Sequence, residues 1–84
     1  MNRESIVEIV KEAISNEMGI SLSEINENDS FFNLGMDSVS CIFVMERLEN
    51  TLQLELNPIH FWDYPSIDTY ADFLLREHII KDGN

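Results

Sequence analysis

The chain is short of the residues that would lock it covalently or draw it to a polyanion. It has one cysteine, Cys41, so no disulfide can close within it. A lone thiol at an apolar helical position reads as a small core residue. Lysine and arginine number 5 against 16 aspartates and glutamates, a formal net charge of −11. That balance excludes nucleic acid, whose phosphates require cationic partners, and an anionic membrane surface would repel the chain. No apolar run approaches the roughly 20 residues of a membrane span. Residues 1–18 alternate charge with aliphatics and lack the continuous apolar stretch of a signal peptide, so a cytoplasmic chain is expected. The two histidines, His60 and His78, stand in no metal-ligand spacing. Asn26, Asn28, Ser30 and Asp37 fall on a calcium-loop template, but Phe31 occupies its glycine position and Asp37 its bidentate glutamate, so no metal site is expected.

What is present is a helical pattern. A hydrophobic fraction of 44% over 84 residues supports one folded domain, 1–84, with a small core and no room for a deep active site. Ile6, Ile9, Val10, Ala13 and Ile14 recur at helical spacing behind a Ser5–Glu8 capping box, and Gly19 fits the residue past the end. The first helix is read as about 5–18. Residues 19–37 form a long connection that carries enough apolar groups, Ile20, Leu22, Ile25, Phe31, Phe32 and Leu34, to be an ordered loop, with a short helical turn expected near Ser23 to Ile25. A second helix spans about 38–52, with Cys41, Val44, Met45, Leu48 and Leu52 on its core face and Ile42 at the margin. Asn57-Pro58 opens a short third helix, about 58–63. Trp62 reads as a core or rim aromatic. Tyr64-Pro65 breaks the chain, and Ser66 caps a fourth helix of about 67–79. The expectation is an all-α four-helix bundle with a short third helix and a long ordered loop between the first two.

Ser38 falls at the loop–helix junction, behind the tight turn that Gly35 permits. It can be a simple N-cap, or a hydroxyl presented to solvent on a rigid element. Catalysis by Ser38 would need a base in reach, and neither histidine stands in a recognisable motif; adjacent Asp37 is a weak base at neutral pH. Ser38 therefore reads as a substrate hydroxyl. Beside it, Val39 and Phe43 fall on the side of the helix away from the core, with Glu46, Arg47 and Glu49 around them. Either Phe43 folds onto the loop or these residues form an apolar docking patch with a charged rim.

Two blocks carry a family resemblance. Ser30-Phe31-Phe32-Asn33-Leu34-Gly35-Met36-Asp37-Ser38-Val39 resembles the phosphopantetheine attachment site of carrier proteins, and Phe61-Trp62-Asp63-Tyr64-Pro65-Ser66-Ile67 resembles that family's segment between its third and fourth helices. The resemblance covers nearly the whole chain. It implies a non-catalytic acyl carrier of the same four-helix topology. A phosphopantetheinyl transferase would move 4′-phosphopantetheine from coenzyme A onto Ser38, with Asp37 helping to dock that enzyme and its Mg²⁺. The arm's thiol would then hold acyl groups as thioesters. The details look most like polyketide or mixed polyketide–peptide systems: Ser40, Phe43 and Arg47 stand where fatty-acid carriers have acidic or small residues. The partners implied are an acyltransferase, a ketosynthase or other synthase enzymes with basic patches, which an acidic monomer would approach favourably. Two other readings stay open, a peptidyl or aminoacyl carrier and an acidic helical interaction module that never carries a cofactor.

Overall fold

A computed structural model describes residues 2–76. It contains α1 (Arg3–Met18), α2 (Ser38–Leu52), α3 (His60–Asp63) and α4 (Ile67–Leu74), with a 3₁₀ turn at Leu22–Glu24. No strand occurs among the described residues; one isolated antiparallel bridge joins Ser30 to Ser66. No helix among them is long and apolar enough to cross a membrane. The all-α bundle read from the sequence is the fold observed.

In α1 the apolar stripe Ile6, Val7, Val10, Ala13 and Ile14 is buried, and the helix packs on α2 and α4. It starts earlier than its sequence suggests. Asn2 is the cap, its side-chain oxygen accepting the Ser5 N–H at 2.9 Å, so Ser5 lies inside the first turn and the expected Ser5–Glu8 box does not form. Asparagine caps as well as serine, and the longer helix brings Arg3 into place. The Arg3 guanidinium reaches Asp72 of α4 at 2.7 Å and Glu27 of the loop at 3.2 Å. These pairs are more than a third exposed, so each contributes at most about 1 kcal/mol. The C-terminal end is as expected: Gly19, at φ 71°, donates its N–H to the Ser15 carbonyl.

The 19–37 connection is ordered because it is both plugged and stitched. Ile25, Phe31 and Met36 are buried in the core. The Phe31 N–H bonds the Pro65 carbonyl at 2.9 Å, while the Ile67 and Asp68 N–H groups bond the Asp29 and Glu27 carbonyls at 3.1 and 2.8 Å. The loop thus borrows the α3–α4 junction as a hydrogen-bonding partner, as buried backbone must.

The boundaries of α2 fall where its periodicity placed them. After it, Gln53 takes a left-handed conformation (φ 56°), and the Glu49 carboxylate accepts the Leu56 N–H at 2.9 Å, turning the chain back toward α3. The third helix is shorter than read. Asn57 accepts the Ile59 N–H, and the carbonyls of Asn57 and Pro58 take the His60 and Phe61 N–H groups, so the cap opens a tight three-residue turn and the α-helix proper is His60–Asp63. Ser66 and Thr69 form a reciprocal capping box at the start of α4. Regular α4 ends at Leu74: the Leu75 N–H is shared between the Ala71 and Asp72 carbonyls, and residues 75–76 continue in a wider, π-type turn. Residues 77–79 of the expected span lie outside the described residues.

At the centre sit three buried rings. Phe31 presents its edge to Phe61 at 4.9 Å and to Tyr70 at 5.5 Å, and Phe61 stacks on Tyr70 at 4.8 Å. Such pairs add about 0.5–1.5 kcal/mol beyond burial. The Tyr70 hydroxyl is buried with no hydrogen-bond partner among the described residues. Burial, and then the nearby Glu49 and Cys41, push its pKa well above the usual phenol range.

An unpartnered buried hydroxyl costs about 1–3 kcal/mol. Tyr70→Phe is therefore expected to raise the urea midpoint at unchanged m-value, by on the order of 1 kcal/mol in stability. The folded protein also holds this proton more tightly than the unfolded chain does. The corresponding stability is fully present below the ordinary phenol pKa of about 10 and is lost as pH rises through the higher folded value. Urea titrations at rising alkaline pH should show a decline that is shallower in Tyr70→Phe; equal slopes would contradict this account.

Candidate functional site

The turn that presents Ser38 is built backward from the core. Ser30 holds it at one end: its side-chain oxygen accepts the Asn33 N–H at 3.0 Å and its carbonyl the Leu34 N–H at 3.2 Å. The Gly35 N–H then bonds the Phe32 carbonyl at 3.0 Å and the Met36 N–H the Phe31 carbonyl at 3.1 Å. Gly35 sits at φ 93°, a backbone region that side chains make costly. Met36, between the glycine and Asp37, is buried; no periodic pattern in the loop marked it as core.

Asp37 is extended, and its Oδ1 accepts the Ser40 N–H at 2.8 Å. Asp37 is thus the N-cap of α2, and the reading of Ser38 as the cap is corrected. The Ser40 N–H, followed by its hydroxyl, holds the Asp37 carboxyl below the usual carboxylate range, so it is ionised at neutral pH. Ser38 is the first helical residue and is exposed, and no group among the described residues hydrogen-bonds its hydroxyl. Delegating the cap to its neighbour leaves this oxygen free. A phosphate attached there would lie at the positive end of a 15-residue helix. The site therefore fits a phosphate-linked arm.

Among the described residues no base is hydrogen-bonded to the Ser38 hydroxyl. His60 is packed against Phe73 at 4.4 Å and beside Tyr64, with its Nδ1 buried and unpartnered among the described residues. His78 lies outside them. Cys41, one turn beyond Ser38, is wholly buried, and burial pushes its thiol pKa up, away from the reactive thiolate. No group of three potential metal ligands occurs among the described residues.

Around Ser38 the surface is apolar. Val39 is 60% exposed and Phe43 47%, so Phe43 does not fold back onto the loop. Ile42, read as marginal, is exposed as well, and so are Ile59 just before α3, Trp62 within it and Phe32 of the loop. Glu46 is exposed. The other two charged candidates have partners inside the chain: Arg47 pairs with Glu17 of α1 at 3.2 Å, and half-buried Glu49 holds the Leu56 N–H. Arg47 stands half a turn around α2 from Ser38. With Ile9, Ala13, Asn16, Asn50 and Thr51 it lines a groove of about 330 Å³ between α1 and α2, away from the serine.

Comparison with known proteins agrees with this geometry. Residues 8–74 match the family described as the phosphopantetheine attachment site. The chain is 36% identical over 63 residues to norsolorinic acid synthase of Dothistroma septosporum, covering 73% of this chain and 3% of that protein. It is 38% identical over 70 residues to polyketide synthase 2 of Metarhizium robertsii, covering 83% and 3%. It thus spans a few per cent of the length of these relatives. Among solved structures, a free-standing peptidyl carrier protein of Acinetobacter baumannii superposes with a TM-score of 0.84 at 30% identity, over 90% of this chain and 95% of that one. The HMG-ACPI domain of the CurA module of Lyngbya majuscula shares the fold, with a TM-score of 0.89 at 23% identity over 99% of this chain and 83% of that one. An exposed serine opening a helix, on a carrier fold matched across residues 8–74, leads to one conclusion: this chain belongs to the phosphopantetheine attachment site family, a family of carriers that hold 4′-phosphopantetheine covalently.

Proposed function

We propose that the chain is an acyl carrier loaded at Ser38 and serving polyketide or mixed polyketide–peptide synthesis. The observation that carries the reading is the exposed, unengaged Ser38 hydroxyl at the start of α2, freed by the Asp37 cap. Loading would form a bond from the Ser38 oxygen to phosphorus and break the pyrophosphate bond of coenzyme A. The adenosine bisphosphate departs, and the serine proton passes to a base of the transferase. The arm supplies a thiol on which acyl groups ride as thioesters. The chain itself supplies attachment and docking, and no catalysis. Asp37 serves the transferase, and Val39, Phe43 and Glu46 meet the synthase enzymes. Arg47 and Glu49, engaged with Glu17 and the Leu56 N–H, are left out of that surface. The polyketide assignment is supported by relatives that are polyketide synthases. Likeness to a peptidyl carrier favours, as a second reading, aminoacyl cargo on the same serine.

Incubation with coenzyme A, Mg²⁺ and a broad-specificity phosphopantetheinyl transferase is expected to add a single phosphopantetheine by intact mass. The folded Ser38→Ala variant is expected to add none. Failure of the folded wild-type chain to load with two such transferases would remove the carrier reading.

Asp37 has two proposed tasks that substitution can separate. Asparagine caps helices as well as aspartate does but carries no charge. Asp37→Asn is expected to keep the wild-type unfolding curve while slowing modification on the order of tenfold, the worth of one charge-assisted contact. Asp37→Ala should lose both. An Asp37→Asn chain modified at the wild-type rate would reduce Asp37 to a cap alone.

A further inference from the structure

We propose that Phe32 and Trp62 form a ledge on which the cargo of the chain's own arm rests, with preference for planar acyl groups, aromatic or conjugated. The inference rests on Ser38 carrying the arm. Phe32 and Trp62 are 40% and 47% exposed, with ring centroids 5.4 Å apart and planes tilted by 54°. Unlike the buried Phe31–Phe61–Tyr70 group, this pair leaves ring surface open to solvent. Both members are held by backbone: Phe32 lies in the Ser30–Gly35 turn, and the Trp62 N–H bonds the Ile59 carbonyl at 3.0 Å. Ile59, 56% exposed, stands three residues earlier on the same segment and extends the apolar surface.

Reach and charge select the occupant. The turn holds the Phe32 carbonyl 3.0 Å from the Gly35 nitrogen. Gly35 is three trans peptide steps from Ser38, at most about 11 Å, whereas an extended phosphopantetheine arm spans about 20 Å at ordinary bond lengths. The ledge is thus within reach of a group tethered at Ser38. The loop and α2 side of the path is also unusually free of charge, although exposed Asp63 adjoins Trp62. In a chain with 21 charged residues of 84, Asp37 is the only one from Ser30 to Met45. An anionic or strongly hydrated ligand gains nothing there, whereas a flat apolar group gains ring contact. Tethering supplies a high effective concentration, so a contact too weak to retain a free molecule holds a covalently attached one. The same weakness lets a synthase enzyme withdraw the cargo.

Trp62 is the only tryptophan, so the ledge carries its own reporter. The full chain would be loaded by a transferase from coenzyme A, acetyl-coenzyme A and benzoyl-coenzyme A, with loading verified by intact mass. The benzoyl form is expected to change Trp62 emission relative to the other two and to show nuclear Overhauser contacts between benzoyl and indole protons. Phe32→Ala, at an exposed position with the fold verified by circular dichroism, should reduce both signals by at least half. Free benzoyl-pantetheine at equal concentration should give neither. Three fully loaded forms with the same Trp62 emission and no such contacts would overturn the ledge while leaving attachment at Ser38 standing. So would benzoyl contacts confined to Val39 and Phe43. A surface that responds only to an added synthase domain would be a protein-docking face, and the ledge would again fall. Absence of loading is a separate result, and it counts against the attachment reading itself.

Discussion

The structure depends on Phe31. Its ring stands edge-on to Phe61 and Tyr70 in the buried centre, and its backbone N–H and carbonyl are both engaged, with Pro65 and Met36. One residue therefore ties the long loop to α3, to α4 and to the junction between them. Everything that presents Ser38 follows from that anchor. The Ser30–Gly35 turn closes around it, Met36 is drawn into the core beside it, and the chain emerges at Asp37 in the extended conformation a cap requires. A loop of this length without such an anchor would lose its ordering entropy with little in return.

Two acidic residues show how the molecule divides structural from functional work. Asp37 spends its carboxylate on the Ser40 N–H, and this leaves the neighbouring hydroxyl with no structural task. Glu49 spends its carboxylate on the Leu56 N–H, closing the return from α2 toward α3. Arg47 is likewise engaged within the chain, by an exposed ion pair with Glu17. The surface left around Ser38 is apolar and nearly uncharged although the chain carries a net charge of −11. On the proposed reading, long-range attraction by the acidic body and short-range contact by Val39, Ile42 and Phe43 would be carried by different parts of the molecule.

Most of this was legible in the sequence where local signals were unopposed. Both ends of α2 were readable because its apolar spacing and its upstream turn agree. The start of α1 was not, because Asn2 and Ser5 are both good caps and only the tertiary pull on Arg3 separates them. Asn57-Pro58 correctly marked a turn, but three-residue hydrogen bonding displaced the α-helix to His60. Met36 was invisible because a loop has no period from which burial can be inferred. The position of Ser38 at the start of α2 was readable, yet its role as cap was left open, since the preceding aspartate competes for the same task. The pairing of Phe32 with Trp62 joins residues 30 positions apart, and no local pattern encodes it.

These features address a problem specific to a carrier. The attachment point must be rigid enough for a transferase to recognise and yet make no contact that would hold a partner for long. Rigidity here comes from backbone bonds and buried rings on the inner side of the 30–38 segment. Its outer side exposes the Ser38 hydroxyl, the Asp37 carboxylate, Asn33 and the Phe32 ring. Apolar contacts of that size, on a domain too small to enclose a cavity at Ser38, favour fast release over tight binding. The tether makes up for the weak contact by raising local concentration. A larger acidic surface at α2 would bind basic partners more tightly and more dependently on salt. On the proposed reading, its absence next to Ser38 would shift discrimination toward the shape of the apolar patch and the chemistry of the cargo.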